Sequence, residues 1–209
     1  MREPPTFIYE EDLWAQGADL VAGVDEVGRG PLAGPVLAAA VLLPPRCQFP
    51  WLARVRDSKV LSATSREELA SRIREDALAI GLGVMPHHLV DRIGIVEATR
   101  RAMLVALREL SAAPEFVLID ALALPHCLLP HRPIIHGDGL SLSIACASIV
   151  AKVERDRLML EADSRFSGYG FARNKGYATR EHLDALTRLG PCAIHRRTFA
   201  PVRACLECS

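Results

Sequence analysis

An apolar, strand-like run delivers two adjacent carboxylates into a glycine-rich bend in Val21-Ala22-Gly23-Val24-Asp25-Glu26-Val27-Gly28-Arg29-Gly30-Pro31. Adjacent residues of a regular strand point to opposite faces. We therefore expect Asp25 and Glu26 to share a site only where the strand ends or twists. Gly28 and Gly30 permit such an irregularity and leave the main chain open to a ligand. Two acids beside an accessible backbone indicate a hard-cation site that serves a polyanion.

Length and composition predict a globular protein with one sizeable core and room for a small appendage, since the chain has 209 residues and 50% hydrophobic residues. No run approaches the roughly 18 uninterrupted apolar residues of a membrane span. The N-terminal segment carries Pro4, Pro5 and acidic residues rather than a basic stretch followed by an apolar one, which argues against a secretory signal. We expect a cytoplasmic protein with no membrane partner.

The six cysteines lack the dense spacing of a disulfide scaffold. Cys205 and Cys208 form a CxxC pair at the C-terminus. Alone it is weak evidence for zinc, because a structural zinc site usually has four ligands. The sequence favours a reduced tail and leaves a zinc or redox role open.

The net charge is +0, but the charge is unevenly spread. Between Lys152 and Arg203 eleven Lys and Arg residues stand against six acids, a local balance of +5. This stretch is either a solvated face with helix-end charges or a basic wall beside an acidic metal site. Charge alone does not separate these alternatives.

Hydrophobic periodicity predicts strands that alternate with helices. The strands are expected at residues 20–24, 36–43, 79–85 and 116–120, with a short apolar step at 134–135. Helices are expected at 65–79, 94–110, 141–162 and 179–189, the first of them opened by a capping box of Ser65 and Glu68. The pattern predicts an α/β fold, a mixed sheet with helices on its faces.

Four acids share a strand-end context, namely Asp25, Glu26, Asp120 and Asp138. Open α/β sheets bind ligands beyond the carboxyl ends of their strands. Each acid could instead form a turn or cap a helix. Clustered carboxylates raise one another's pKa unless a cation neutralises them. The set therefore predicts a site for one or two ions of Mg²⁺ or Mn²⁺.

Several motifs carry a family resemblance: AGVDEVGRGPLAGPV (22–36), DSKVLS (57–62), LID (118–120), GD (137–138), SIACASIVAKVERD (143–156) and NKGY (174–177). In this order they resemble bacterial ribonuclease HII, the type 2 ribonuclease H family, over nearly all of residues 19–202. Two positions depart from the family pattern. His136 stands where a lysine often precedes the Gly-Asp pair, and Cys146 interrupts what is usually an alanine run.

The resemblance implies a ribonuclease H-like fold, with a central five-stranded mixed sheet flanked by helices. It implies a catalytic core at 1–165 and a small helical extension at 166–209, packed on the core as one structural unit. The implied activity is an endonuclease acting on RNA–DNA hybrids and on single ribonucleotides in duplex DNA. Cleavage on the 5′ side of the ribonucleotide would leave 5′-phosphate and 3′-hydroxyl ends, a step of DNA repair carried out by a monomer.

The resemblance also assigns roles to single residues. The four acids would hold the ions, and the backbone of Gly28, Arg29 and Gly30 would read the ribose 2′-hydroxyl that DNA lacks. Tyr177 would pack against the sugar at the RNA-to-DNA junction. Two structural alternatives stay open, a surface ion pair for Arg29 and a half-buried loop anchor for Tyr177.

The resemblance further implies that Ser58 and Lys59 contact phosphates, where a lysine acts as a point charge.

Three other functions fit the sequence less well. A nucleotide-binding module is disfavoured because Pro31 and the apolar run from Val36 point to a second strand, and no Gly-Lys-Ser/Thr follows. A non-enzymatic nucleic-acid binder would leave the clustered acids unexplained. The sister enzyme ribonuclease HIII carries an extra N-terminal substrate-binding domain, for which this chain has no room.

Overall fold

The computed structural model describes residues 3–207, so that Cys208 of the CxxC pair lies outside the described part. Its centre is one five-stranded sheet of β1 (Val21–Val27), β2 (Val36–Leu42), β3 (Ala79–Met85), β4 (Phe116–Asp120) and β5 (His131–Ile134). The strand order is β3-β2-β1-β4-β5. β1, β2 and β3 pair antiparallel, whereas β4 and β5 run parallel to β1. The predicted five-stranded mixed sheet is confirmed.

Eight helices of the described residues accompany this sheet. They are α1 (Ile8–Ala15), α2 (Ala63–Asp76), α3 (His87–Ile93), α4 (Ile95–Arg108), α5 (Leu142–Arg165), α6 (Phe171–Asn174), α7 (Arg180–Leu189) and α8 (Ala200–Glu207). Short 3-10 turns occur at Pro50–Arg54 and Gly137–Gly139. Within residues 3–207, none of these helices has the length and apolarity to traverse a bilayer.

β2 is buried on both faces, and its alternate residues belong to different core clusters. Leu37, Ala39 and Val41 pack in one cluster with residues of α2 and α5. The residues between them face the opposite side and pack in a second cluster with residues of α4. This period of two places α5 and α4 on opposite faces of the sheet.

Gly23 lets the start of α5 lie directly against β1. A Cβ at this position would be 2.1 Å from the carbonyl carbon of Ser143 and 2.3 Å from the nitrogen of Ile144. Ser141 caps the helix, because its Oγ accepts a hydrogen bond from the N–H of Ile144 at 3.3 Å. The first half of α5 is therefore fixed under the strand that carries the two adjacent acids.

β1 extends to Val27, so the predicted strand end at residue 24 is wrong. Residue 24 is, however, the last residue of β1 that pairs with β4. Pairing with β2 continues through Asp25, Glu26 and Val27. Pairing with β4 stops where Val24 meets Ile119. The two acids therefore lie inside a strand, but on a side that β4 has left open.

The remaining differences concern helix ends and short helices. Ser62, rather than Ser65, caps α2, since its Oγ accepts from the N–H of Ser65 at 3.1 Å. α2 ends at Asp76, three residues earlier than expected, because β3 begins at Ala79. Helices α1, α3, α6 and α8 were not predicted.

The segment after α5 packs on the loop that follows β1. Ala33 of that loop shares a buried cluster with Phe171 and Ala185 of the C-terminal helices. Leu32 shares another cluster with Leu186 and Val202. The division at residue 165 stays a prediction, although continuous clusters join the two sides of it.

Candidate active site

Three carboxylates meet at the edge where β4 stops pairing with β1. Asp25 and Glu26 come from β1, and Asp120 is the last residue of β4. One carboxylate oxygen from each lies within 4.8 Å of the others. The N–H of Glu26 donates to Oδ1 of Asp25 at 2.7 Å, which holds the Asp25 side chain along the strand. Adjacent residues thus share a site as expected, although the strand itself continues.

The cluster is electrostatically unfavourable in its anionic form. Burial raises the pKa of Asp25 well above its ordinary value, and the charges of Glu26 and Asp120 raise it further. Hydrogen bonds from the Ser148 side chain and from the Glu26 N–H act in the opposite direction. Burial also raises the pKa of Glu26 and of Asp120. A bound cation would remove this repulsion.

The donor set fits a hard divalent cation. Every candidate ligand atom is a carboxylate oxygen, the ligand type that Mg²⁺ and Mn²⁺ prefer. Oε2 of Glu26 is buried and has no hydrogen-bond partner among the described residues. Oε1 of the same group accepts from Arg29 at 3.3 Å. Buried polar atoms normally have a partner, and a cation bound by this oxygen would supply one.

Asp138 stands beside the three-acid group rather than inside it. It lies on the 3-10 turn before α5 and is 6% exposed. Its Oδ2 accepts a hydrogen bond from Nζ of Lys59 at 3.0 Å. Its charge raises the pKa of Asp120, whose Oδ1 accepts from the N–H of Gly137 at 2.6 Å. The predicted four-acid set is therefore three acids in contact and a fourth held next to them by a lysine.

Ser58 and Lys59 are adjacent in the sequence but differ in environment. Ser58 is buried, and its Oγ lies 2.9 Å from Oγ of Ser148, which in turn bonds to Asp25. Through Ser148 this buried hydroxyl supports the Asp25 side chain, and a phosphate contact by Ser58 stays a prediction. The Lys59 side chain is 76% exposed, and a phosphate contact by it stays a prediction.

The predicted ribose-reading loop lies against Tyr177. Gly28 has φ +90°, and a Cβ there would be 2.2 Å from Nε of Arg155. Gly30 is exposed, and a Cβ there would be 3.7 Å from Cε1 of Tyr177. Arg29 forms the ion pair with Glu26 that one structural alternative expected. Loop, tyrosine and carboxylates are thus neighbours, while their contacts with substrate stay predictions.

Two buried arginines behind this loop were missed by the sequence analysis. Arg155 and Arg196 are both 0% exposed, and they donate to main-chain carbonyls. Burial lowers the pKa of both guanidinium groups, and that of Arg196 falls to about 9. In the sequence, Arg155 and Arg196 look like any other arginine of the basic stretch, because nothing in their spacing indicates burial.

Much of the basic stretch is locally paired. Arg157 bonds to Glu154 and Glu161, Arg173 bonds to Glu181, and Lys152 bonds to Asp156 at 2.7 Å. Together with the two buried arginines, these pairs reduce the charge available to a polyanion. The alternative of a solvated, ion-paired face therefore describes a large part of this stretch.

The two departures from the family pattern are structurally accommodated. His136 has φ 59° and caps the turn that presents Asp138. Cys146 is fully buried in the cluster between α5 and the sheet. Neither side chain belongs to the three-acid group.

Comparison with known proteins decides the family. The family model described as Ribonuclease HII matches residues 22–202. The chain belongs to the ribonuclease HII family. A curated ribonuclease HII from Dehalococcoides mccartyi is 48% identical over 203 residues, covering 97% of this chain and 96% of that protein.

Solved structures agree with the fold of this ribonuclease HII family member. The ribonuclease H2 from Pyrococcus horikoshii has a TM-score of 0.75 at 24% identity, over 90% of this chain and 97% of that one. The Bst ribonuclease HIII in complex with Mn²⁺ has a TM-score of 0.69 at 20% identity, over 93% of this chain and 71% of that one. At these identities the likeness shows the ribonuclease H-like architecture.

Proposed function

We propose that this protein is an endoribonuclease that hydrolyses the RNA strand of RNA–DNA hybrids and nicks duplex DNA on the 5′ side of a single embedded ribonucleotide. The products would carry 5′-phosphate and 3′-hydroxyl ends. Membership of the ribonuclease HII family supports the activity on hybrids. The observation that carries the proposal is the meeting of Asp25, Glu26 and Asp120 within 4.8 Å, with one buried Glu26 oxygen lacking a partner.

These three carboxylates, with Asp138 beside them, would hold one or two divalent ions, Mg²⁺ or Mn²⁺. When bound, such ions supply a more acidic water as nucleophile and stabilise charge on the phosphate and the leaving oxygen. The choice of metal is supported by the all-oxygen donor set. No protein nucleophile is required for this chemistry, because a metal-bound water can act as the nucleophile.

The surrounding residues of the chain would keep the carboxylates in place. The Ser148 hydroxyl is hydrogen-bonded to Asp25 and to the Ser58 hydroxyl. The N–H of Gly137 donates a hydrogen bond to Asp120. Lys59 holds Asp138 and, with its largely exposed side chain, could also contact a phosphate of the bound strand. Fixed ligands of this kind lower the reorganisation needed when the substrate binds.

Selection of ribose would come from the loop at residues 28–30 and from Tyr177. A 2′-hydroxyl is both donor and acceptor, and backbone amides next to the metal ligands can contact it at the scissile nucleotide. The Tyr177 ring, against Gly30, would pack on the adjoining sugar. This arrangement supports recognition of a ribonucleotide within duplex DNA rather than of free RNA.

We further propose a cytoplasmic monomer that removes ribonucleotides from DNA as a repair enzyme. The three clustered carboxylates come from a single chain, which supports a site that one subunit can form. Cys47, Cys127, Cys146 and Cys192 form no disulfide, which is typical of a reducing compartment.

One assay tests this function. The wild-type protein is incubated with an end-labelled DNA duplex carrying one ribonucleotide, with Mg²⁺, with Mn²⁺ or with a chelator. We expect a single nick 5′ to the ribonucleotide, only with metal, and a 3′ end that a polymerase extends. An intact substrate with both metals would refute the enzymatic function, and retained binding would then favour a non-enzymatic nucleic-acid binder.

A further inference from the structure

Arg196 is a buried cation whose hydrogen bonds go to main-chain oxygens. Its Nη2 donates to the carbonyl of Gly28 at 2.6 Å, and its Nη1 donates to that of Arg29 at 2.9 Å. Its Nε and Nη2 both reach the carbonyl of Gly34, at 3.1 and 3.0 Å. Burying a guanidinium is unfavourable, and such charge-assisted hydrogen bonds offset a part of this cost.

These bonds decide where the amides of the loop point. In a trans peptide the C=O and the N–H of one peptide group point in opposite directions, and no described peptide bond is cis. The carbonyl of Gly28 shares its peptide group with the N–H of Arg29, and the carbonyl of Arg29 shares its group with the N–H of Gly30. Because both carbonyls point inward to Arg196, both N–H groups point away from it.

The two outward N–H groups are free to bind a ligand. Within residues 3–207, neither the N–H of Arg29 nor that of Gly30 donates to a backbone or side-chain acceptor. Gly30 is exposed beside Tyr177, and the Arg29 side chain bonds to Glu26 of the carboxylate cluster. The two amides therefore belong to a loop that contacts both the tyrosine and, through the Arg29 side chain, the acids.

Donation from a charged guanidinium also changes the peptide groups that it contacts. A cation at the carbonyl oxygen polarises the peptide group, which makes the N–H on its other side a stronger donor. Arg196 thus sets both the direction and the donor strength of two adjacent N–H groups, those of Arg29 and Gly30.

We propose that Arg196 is a positioning residue for ribose recognition: it fixes and polarises the Gly28–Arg29 and Arg29–Gly30 peptide groups so that their N–H groups face the 2′-oxygen of the scissile ribonucleotide. This inference rests on the proposed function and deepens it. Its hydrogen bonds go to carbonyls of the loop and not to the three carboxylates, so Arg196 would act through the loop.

Arg155 provides a matched control, because it is equally buried and also binds carbonyls. Its partners are Ala33 at 3.2 Å, Pro35 at 3.1 Å and Lys175 at 2.9 Å. The N–H groups that follow two of these carbonyls are already taken, by the carbonyl of Ile194 and by the side chain of Asn174, and the third lies in β2. Arg155 packs against Gly28 but donates to neither the Gly28 nor the Arg29 carbonyl, so it supports the same loop without orienting a free donor.

The experiment compares Arg196→Lys with Arg155→Lys in the full-length protein. A lysine keeps the charge but lacks the planar fork that reaches two carbonyls. Each variant is assayed for kcat and KM on a duplex with one ribonucleotide, for the inhibition constant of an all-DNA duplex as competitor, and for its thermal midpoint. We expect Arg196→Lys to lose about 10- to 100-fold in kcat/KM beyond any loss in Arg155→Lys, the scale of a misplaced contact group. The inhibition constant of the all-DNA duplex should stay within about twofold of wild type, since phosphate contacts dominate it.

Equal losses of kcat/KM in the two variants, or a parallel weakening of all-DNA binding, would reduce Arg196 to support of the fold and overturn the inference. The same conclusion would follow if neither Arg196→Lys nor Arg196→Gln folded at the assay temperature. Failure of the wild-type protein to cleave would remove the proposed function, whereas wild-type cleavage with unaffected Arg196→Lys would remove this inference alone.

Discussion

Nε2 of His195 lies 3.0 Å from Nε2 of His182, and the bonds on either side determine the tautomer of both rings. Nδ1 of His195 accepts from the N–H of Cys192 at 2.9 Å, so its Nε2 carries the proton and donates to His182. Nδ1 of His182 then donates to the carbonyl of Tyr177 at 2.8 Å. Two neutral histidines thus tie the C-terminal segment to the residue proposed to face the substrate sugar.

This pair predicts a loss of stability in mild acid. Burial, together with the charges of His182 and His87, lowers the pKa of His195 to about 4. An unfolded histidine has a pKa of about 6.5. Between this pKa and about pH 4, the His195 side chain binds a proton in the unfolded chain but stays neutral in the folded one. The contribution of neutral His195 to the free energy of unfolding is therefore full above about pH 6.5 and is lost as the pH falls towards 4.

Urea unfolding of wild type and His195→Gln between pH 7 and pH 5 measures this effect. The stability advantage of the wild type should shrink by on the order of 2 kcal/mol over this range. Parallel curves for wild type and His195→Gln would contradict the neutral pair.

Asp25→Asn should stabilise the metal-free protein while abolishing cleavage. Burial and the charges of Glu26 and Asp120 raise the pKa of Asp25, so its ionised form destabilises the folded state at neutral pH. Removing the charge should raise the free energy of unfolding by about 1 kcal/mol in a chelator at pH 7. Asp12→Asn, at an exposed acid, is the control. A less stable Asp25→Asn protein would show that the carboxylate is not strained by its neighbours.

Tyr177→Ala should affect substrate choice more than metal use. Loss of the ring beside Gly30 is expected to lower kcat/KM on a single-ribonucleotide duplex about tenfold, equivalent to roughly 1.4 kcal/mol. An RNA tract should be affected less, and the metal concentration for half-maximal rate should not move. Tyr177→Phe separates the ring from its hydroxyl. Equal losses on both substrates would argue for the alternative of a loop anchor.

Gly28 and Gly30 should respond differently to alanine. At Gly28 the positive φ and a Cβ 2.2 Å from Nε of Arg155 predict a loss of about 1–3 kcal/mol in the free energy of unfolding. At Gly30 the added methyl group has room, so stability should hardly change while cleavage falls. Thermal melts and cleavage rates of both variants check this, and an unchanged melting midpoint for Gly28→Ala would count against the tight loop.

The strands and the acids could be predicted because their signals are local. The run before Asp120 is continuously apolar, and 79–85 was expected with the bounds that β3 has. Burial of Arg196 could not be predicted, because its carbonyl partners lie more than 160 positions away in the sequence. The same applies to Asp138, whose distance from the three-acid group depends on a turn and on Lys59. The burial of Arg196 and the position of Asp138 are both set by tertiary contacts, which the periodicity of the sequence does not show.

Binding of Mn²⁺ measured by titration calorimetry tests the central claim most directly, because it needs no substrate. We predict that the wild-type protein binds the ion and that Asp120→Asn weakens the affinity by about tenfold or more, since one of three clustered ligands is lost. Asp12→Asn should bind as the wild type does. Equal Mn²⁺ affinity in wild type and Asp120→Asn would contradict the claim that Asp25, Glu26 and Asp120 form the metal site.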